Sequence, residues 1–231
     1  MLEKLKIYAK ITNLWAIARR YFVNNFYDGM LTVLGVLLGF FVIILKEGQP
    51  LIDSHFVILT GMGSSISMFF SGITGSYLSE RAERKKIKDE IRRAMVISEV
   101  EEALDDENSS VEEIERAMLT KLNHIINPKR RINEKKPKTI QEKAQSFASL
   151  VVSFVNGGSP FLGGVVPLIP FFFVSNAGFL TFILSFLIIL SCIILLGIFL
   201  GVVSKESILK NILQMAFAFL LTLVISIFLL G

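Results

Sequence analysis

Five long apolar runs constrain what this chain can fold into. They lie at about residues 21–45, 55–79, 147–174, 178–203 and 212–230. A helix needs roughly 20 consecutive, largely apolar residues to cross a bilayer, and each run meets this length. The composition agrees, since 52% of the residues are hydrophobic and only 19% are charged. We therefore predict an all-α polytopic membrane protein with five transmembrane helices.

The segments around these runs predict the domain organisation. Residues 1–20 form an amphipathic pattern that suits a helix lying on the membrane surface with Trp15 at the headgroup level, although packing on the protein itself is equally open. Residues 21–79 then hold the first two spans, and residues 147–231 hold the last three. The highly charged residues 80–146 predict a soluble helical insert, entered by the second membrane helix continuing as a long stalk.

Two local patterns refine the spans. The third run contains Pro160, Pro167 and Pro170 among several glycines, so we expect a kinked or broken helix, which is common in transporters. The second run is rich in glycine and serine, and the first contains Gly35 and Gly39. Small residues let membrane helices approach closely, so we expect both runs to have helix-contact faces, and Gly35-x-x-x-Gly39 is a candidate dimer seam.

The distribution of basic residues predicts the orientation. Lys and Arg precede the first run, fill the insert and recur at Lys205 and Lys210, whereas the opposite side has only Lys46. The positive-inside rule then puts the N-terminus and the 80–146 insert in the cytoplasm and the C-terminus outside a cell membrane. The basic stretches lack interleaved aromatic residues, so we expect a lipid bilayer and no nucleic acid as their partner.

Asp28 is the residue that most invites a functional explanation. It lies inside the first apolar run, where a charged side chain costs roughly 2.5–3.5 kcal/mol on insertion scales. A carboxylate in such surroundings can bind a cation, or carry a proton in exchange for one. The alternative is that residues 21–28 are an extramembrane lead-in and that Asp28 caps a shorter span over residues 29–45.

Other side chains could bind metal. Met68 lies in the middle of the second run, and its thioether is a soft ligand for late first-row divalent metals, although a lone membrane methionine usually only packs. Three pairs of glutamates at i,i+3 spacing share helix faces in or near the insert: Glu80 with Glu83, Glu99 with Glu102, and Glu112 with Glu115. Carboxylate oxygens suit hard divalent cations, while a solvated face, or for the first pair contact with Arg84, is the ordinary alternative.

The sequence offers little for catalysis or for a resident cofactor. It contains no phosphate-binding loop, no zinc-protease motif, no nucleophile elbow and no C-x-x-C. The single Cys192 lies in an apolar run and excludes a disulfide framework and a thiolate metal site. No second intramembrane acid accompanies Asp28. We therefore expect a protein that is not an enzyme.

The motifs together resemble the vacuolar iron transporter family, including its prokaryotic branch. The first span contains Asp28-Gly29-x-x-Thr32-x-x-Gly35-x-x-x-Gly39. The second contains Ser67-Met68 and Gly75-x-Tyr77-x-Ser79-Glu80, and the third contains Gly163-x-x-x-Pro167-Leu168-x-Pro170-Phe171. The resemblance extends over all five runs and the placement of the insert.

The resemblance implies a homodimer with a translocation path near its interface. It implies exchange of Fe²⁺, and often Mn²⁺, for protons, with Asp28 and Met68 in contact with the metal. It also implies an insert whose paired glutamates gather metal. The spacing of the acidic residues departs from the family there, so Glu99, Glu102, Glu112 and Glu115 are candidates by chemistry alone. Glu80 and Glu83 are candidates for a cytoplasmic gate.

These observations predict a divalent-metal/proton antiporter that moves Fe²⁺ or Mn²⁺ out of the cytoplasm. The alternative is a membrane scaffold whose acidic insert binds a partner protein. The discriminating feature is whether Asp28 faces a polar cavity or packed protein.

Overall fold

The structure, a computed structural model, describes residues 2–47, 51–105 and 139–230, together with Leu119. In this part of the chain the elements are α1 (Leu2–Ile11), α2 (Leu14–Glu47), α3 (Ser54–Asp105), α4 (Ile140–Val165), a 3₁₀ helix (Val166–Phe173), α5 (Phe179–Ser204) and α6 (Ile208–Leu230). Two short strands, β1 (Ile52–Asp53) and β2 (Asn176–Ala177), pair antiparallel. The prediction of an all-α fold is confirmed.

Five segments of the described chain are long and apolar enough to cross a membrane. They are Leu14–Lys46, Ser54–Ile91, Ile140–Phe173, Phe179–Ser204 and Ile208–Leu229. Each contains or largely overlaps one of the five apolar runs of the sequence, which confirms the predicted number of spans. Several spans begin earlier than the runs because helix continues through flanking polar residues, such as Arg19 and Arg20 at the start of α2.

The N-terminal segment departs from a single helix over residues 2–20. Asn13 has a left-handed backbone, with φ of 49°, which ends α1, and residues from Leu14 onward belong to α2. Asparagine tolerates this conformation better than most residues, which explains the break at this position. The α1 helix packs on α4, where the rings of Tyr8 and Phe147 lie 6.3 Å apart, while Ile7 and Trp15 stay exposed.

Helices α2 and α3 both pack closely on α4. Small residues make the crossings possible. A β-carbon on Gly29 of α2 would collide with the backbone carbonyl of Pro160, and one on Gly163 would collide with that of Phe26. Membrane helices gain affinity through such close packing, since lipid supplies no hydrophobic force between them.

The third span changes from α-helix to 3₁₀ helix at Val166, as its prolines led us to expect. Pro167 and Pro170 have no N–H to donate to the preceding turn, which disfavours further α-helix. The carbonyl of Pro167 is bonded instead by the buried hydroxyl of Ser185 on α5, at 2.5 Å. A hydroxyl from a neighbouring helix thereby satisfies part of the backbone that the break frees.

Helix α3 continues well beyond the apolar run, as predicted for a stalk. Its charged portion is fastened to the start of α4 by two side-chain contacts. The guanidinium of Arg84 donates to Ser146 Oγ at 3.1 Å, and Lys88 Nζ donates to Glu142 Oε1 at 2.9 Å. Glu142 also completes a capping box with Thr139, which defines the first turn of α4.

Candidate metal site between three helices

An open cavity of about 500 Å³ lies between α2, α3 and α4. Most of its lining side chains carry an oxygen, nitrogen or sulfur atom. The lining residues are Asn25, Asp28, Leu31, Thr32, Met68, Ser71, Gly72, Asn156 and Pro160. Ionisable and polar groups within membrane spans are costly and usually face a bundle interior or a water-filled cavity, so this cavity is the candidate functional site.

Asp28 faces the cavity because the opposite face of α2 packs in the hydrophobic core. Met30, Val33 and Leu34 are fully buried, and Gly29 is pressed against α4. Asp28 lies well inside a continuous helix that begins at Leu14, so it is not the N-cap of a helix. Its own backbone carbonyl accepts a hydrogen bond from the hydroxyl of Thr32 at 2.8 Å.

Met68 reaches the same cavity from α3. It is half-buried, and it lies one turn before Gly72, whose α-carbon faces the backbone of α4 at Asn156 and Gly157. The close approach at Gly72 brings this part of α3 against α4 and hence beside Asp28. Two residues forty positions apart in the sequence, a hard carboxylate and a soft thioether, therefore line one cavity.

Two polar residues that line the cavity, Asn25 and Asn156, and their neighbour Ser76 were not predicted as site residues from the sequence. Asn25 Nδ2 donates to Asn156 Oδ1 at 2.6 Å, and Asn156 Nδ2 donates to Ser76 Oγ at 2.9 Å. This chain of hydrogen bonds joins α2, α4 and α3 beside the cavity. Amide side chains inside apolar spans are a usable signal in the sequence, but their pairing depends on the register between helices.

The predicted glutamates do not join this cavity where they are described. Glu80 is half-buried and Glu83 exposed on α3, beyond the lining residues, and neither has an ion-pair partner within the described ranges. Arg84 donates to the backbone carbonyl of Glu80 rather than to its carboxylate. Glu112, Glu115 and the side chains of Glu99 and Glu102 lie outside the described residues.

The donor set that one chain brings to the cavity is incomplete for a tightly held ion. Within residues 2–47, 51–105 and 139–230, no three His, Cys, Asp or Glu side chains cluster as metal ligands. Asp28 is the single acid that lines the cavity, and its side chain is exposed in the isolated chain. The remaining donors are amide, hydroxyl and thioether groups, which are neutral. Such a set suits transient binding of a divalent cation better than permanent retention.

Fold and site together define a class: a polytopic helical membrane protein with five spans and an acid and a thioether in a cavity between them. Within that class, the sequence profile of the VIT family matches residues 19–230, so the chain belongs to the VIT family. This match confirms the family that the motifs predicted. VIT family membership indicates transport of metal ions across a membrane rather than an enzymatic activity.

The chain is also similar to an archaeal protein. An uncharacterized protein of Methanocaldococcus jannaschii is 25% identical to this chain over 198 residues. The aligned region covers 85% of this chain and 80% of the relative. The two proteins are therefore similar over most of their lengths.

Proposed function

We propose that the protein is a proton-coupled antiporter that moves Fe²⁺ or Mn²⁺ out of the cytoplasm. The observation that carries this proposal is that Asp28 and Met68 line the same cavity within the membrane-spanning part of the fold. A carboxylate attracts a divalent cation and can bind a proton instead, which is the exchange that antiport requires. A thioether favours late first-row metals over Mg²⁺ and Ca²⁺.

The working unit in this proposal is a homodimer with the metal path at or near its interface. In one chain the carboxylate of Asp28 is exposed although it belongs to a membrane span. Contact of that group with lipid would cost roughly 2.5–3.5 kcal/mol, and a second copy covering the cavity would remove the cost. It would also supply a second Asp28 and Met68. Gly35 and Gly39 support this arrangement, since no described residue outside their own stretch of α2 comes within 4 Å of a β-carbon built on either.

The orientation and the role of the insert complete the proposal. The N-terminus and residues 80–146 face the cytoplasm of a cell membrane, and the C-terminus faces outside, because of the charge asymmetry of the loops. Glu99, Glu102, Glu112 and Glu115 gather metal on the cytoplasmic side, and Glu80 and Glu83 lie where metal would enter from the stalk. Asp28 and Met68 carry it across.

Asp28→Asn should abolish transport, because the amide keeps the shape of the side chain but neither takes up a proton nor neutralises a cation. The measurement is uptake of Fe²⁺ and Mn²⁺ into proteoliposomes that contain a pH-sensitive dye. We expect metal entry with lumenal alkalinisation for the parent protein and background flux for the variant. Equal oligomer size of the two proteins in detergent is the control.

A scaffold without transport is the competing function, and the position of Asp28 argues against it. A structural acid would face packed protein or an ion-pair partner, whereas Asp28 lines an open cavity. Normal metal flux by Asp28→Asn would remove the antiport mechanism. Absence of metal flux from well-folded parent protein would favour the scaffold and direct attention to the acidic insert.

A further inference from the structure

The Asn25–Asn156–Ser76 hydrogen-bond chain has a free end at the metal cavity. Asn25 Nδ2 donates one hydrogen bond to Asn156 Oδ1, at 2.6 Å. The side-chain oxygen of Asn25 accepts no hydrogen bond from any residue that the structure describes. Asn156 uses both ends of its amide, one on Asn25 and one on Ser76. The unused acceptor of the chain is therefore the carbonyl oxygen of Asn25, on a residue that lines the cavity.

Asn25 and Asp28 are close enough on α2 for their side chains to bind the same metal ion. The two residues are three apart on α2, so their β-carbons lie roughly 5–6 Å apart on one helix face. Ligand oxygens bind divalent cations at about 2.0–2.6 Å, and two side chains one turn apart can converge on one ion. Asn24, the preceding residue, is exposed and does not line the cavity.

We infer that the side-chain oxygen of Asn25 is a third metal ligand of the cavity, beside Asp28 and Met68, and that Asn156 and Ser76 are positioning residues that hold it. This inference rests on the proposed transport of divalent metals and adds a determinant of selectivity. An amide oxygen is a hard, neutral donor that suits Mn²⁺, whereas the thioether of Met68 favours softer ions. Asn25 therefore shifts the preference of the site toward Mn²⁺ and away from soft cations such as Cd²⁺.

The hydrogen-bond chain fixes the orientation of the Asn25 side chain. A free asparagine samples several rotamers, and a ligand held by an outer partner binds better because its orientation is fixed in advance. The three helices that form the cavity each contribute one member of the chain, so the ligand is oriented only when α2, α3 and α4 are packed as in this structure. Loss of an outer partner of this kind typically costs about 10- to 100-fold in metal affinity or activity.

The test compares Asn25→Leu with the matched control Asn24→Leu in proteoliposomes, with uptake of Mn²⁺ and of Cd²⁺ measured over a range of concentrations. Leucine keeps the branching of asparagine at the γ-carbon, although it is larger, and it has no donor atom. We expect Asn25→Leu to raise the KM for Mn²⁺ about tenfold or more and to change that for Cd²⁺ by less than about threefold. Asn24→Leu should leave both values at those of the parent.

Asn156→Leu tests the positioning role, since it leaves the oxygen of Asn25 in place but unheld. We expect the same loss of Mn²⁺ preference at smaller magnitude. A general packing defect would instead lower the maximal rate for both metals together and leave the Mn²⁺/Cd²⁺ preference unchanged, which would overturn the positioning role.

If Asn25→Leu disrupts folding, Asn25→Asp provides a second test of the metal ligand. The carboxylate supplies an oxygen at the same point, and Asn156 can turn its amide to donate to it while Ser76 donates to Asn156. We expect Mn²⁺ transport to be retained with a KM equal to or below that of the parent. A KM for Mn²⁺ of Asn25→Asp above that of the parent would overturn the role of Asn25 as a metal ligand. An unchanged metal preference in Asn25→Leu would do the same. Neither result would contradict the proposed transport. Absence of flux from the parent protein would overturn the proposed function itself.

Discussion

Two adjacent glycines of α4 show how strongly a single position can be constrained. A β-carbon on Gly157 would collide with the backbone carbonyl of Phe69 on α3, whereas one on Gly158 would meet no described residue within 4 Å beyond its own stretch of α4. The first glycine is therefore needed for the crossing of α3 and α4 that forms one wall of the cavity. The second is not required for a helix crossing in the part of the chain that the structure describes.

Gly157→Ala should destabilise the protein, and Gly158→Ala should not. A methyl group forced into a packed crossing costs about 1–3 kcal/mol, and here its neighbour is backbone, which cannot rotate away. At Gly158 the gain in helix propensity, about 0.5–1 kcal/mol, is the main effect expected. Thermal unfolding of the two variants in detergent checks the difference. Equal midpoints would contradict the close α3–α4 crossing.

At the scale of elements, α1 and the start of α2 have exposed apolar side chains. Ile7 and Ile11 lie four residues apart on α1, and Trp15, beyond the break at Asn13, is 80% exposed at the start of α2. Exposed lysines, among them Lys6 and Lys10, lie on α1. The opposite face of α1 packs on α4. One face thus meets protein, and the other has the composition of a surface that meets lipid headgroups.

The single tryptophan of the chain makes this testable. In bilayers we expect Trp15 to emit at shorter wavelength than in water and to be quenched by lipids brominated near the headgroup more than by those brominated near the chain end. Trp15→Phe provides the blank, because it removes the only indole. Emission typical of water, insensitive to brominated lipid, would show that this face does not contact the membrane.

The spans were predictable from the sequence, and the polar contacts of the site were not. Bilayer thickness dictates a run of about 20 apolar residues, so length and composition alone predict the number of spans. The break at Asn13 depends on one residue in a rare conformation, which no periodicity reveals. Asn25 and Asn156 are 131 residues apart, and only the register of α2 against α4 brings them together. Asp28 was predictable from the free-energy cost of a charge in a membrane span, whereas Met68 was a candidate through its soft thioether, and the family resemblance added the expectation that it contacts metal.

At the scale of the whole molecule, the described chain leaves part of its membrane surface polar. Asp28, Thr32 and Ser71 are exposed where they line the cavity between α2 and α3. Lipid is a poor partner for such groups, and a second copy is a good one. Closed two-fold symmetry, the commonest form of oligomer, would put the same small residues of α2 opposite each other.

Cysteine cross-linking should reveal that contact. In a Cys192→Ser background, Gly39→Cys should form a disulfide-linked dimer on mild oxidation, because residues near a two-fold axis approach their own copies. The α-carbons must come within about 7 Å. Leu195→Cys, on an exposed part of α5, is the matched control and should stay monomeric on a denaturing gel. Equal cross-linking of both variants, or of neither, would contradict a seam along α2.

The short strand pair has a mechanical consequence for α3. β1 and β2, with a further bond from Ser54 N to Ser175 O at 3.0 Å, fasten the start of α3 to the start of α5 through backbone atoms. The described part of the stalk contacts α4 through side chains, including the solvent-exposed pair of Lys88 and Glu142. Exposed pairs are worth about 0–1 kcal/mol. The start of α3 is thus the fixed end of the helix, and any change in the angle between α3 and α4 would displace the stalk more than the strand pair.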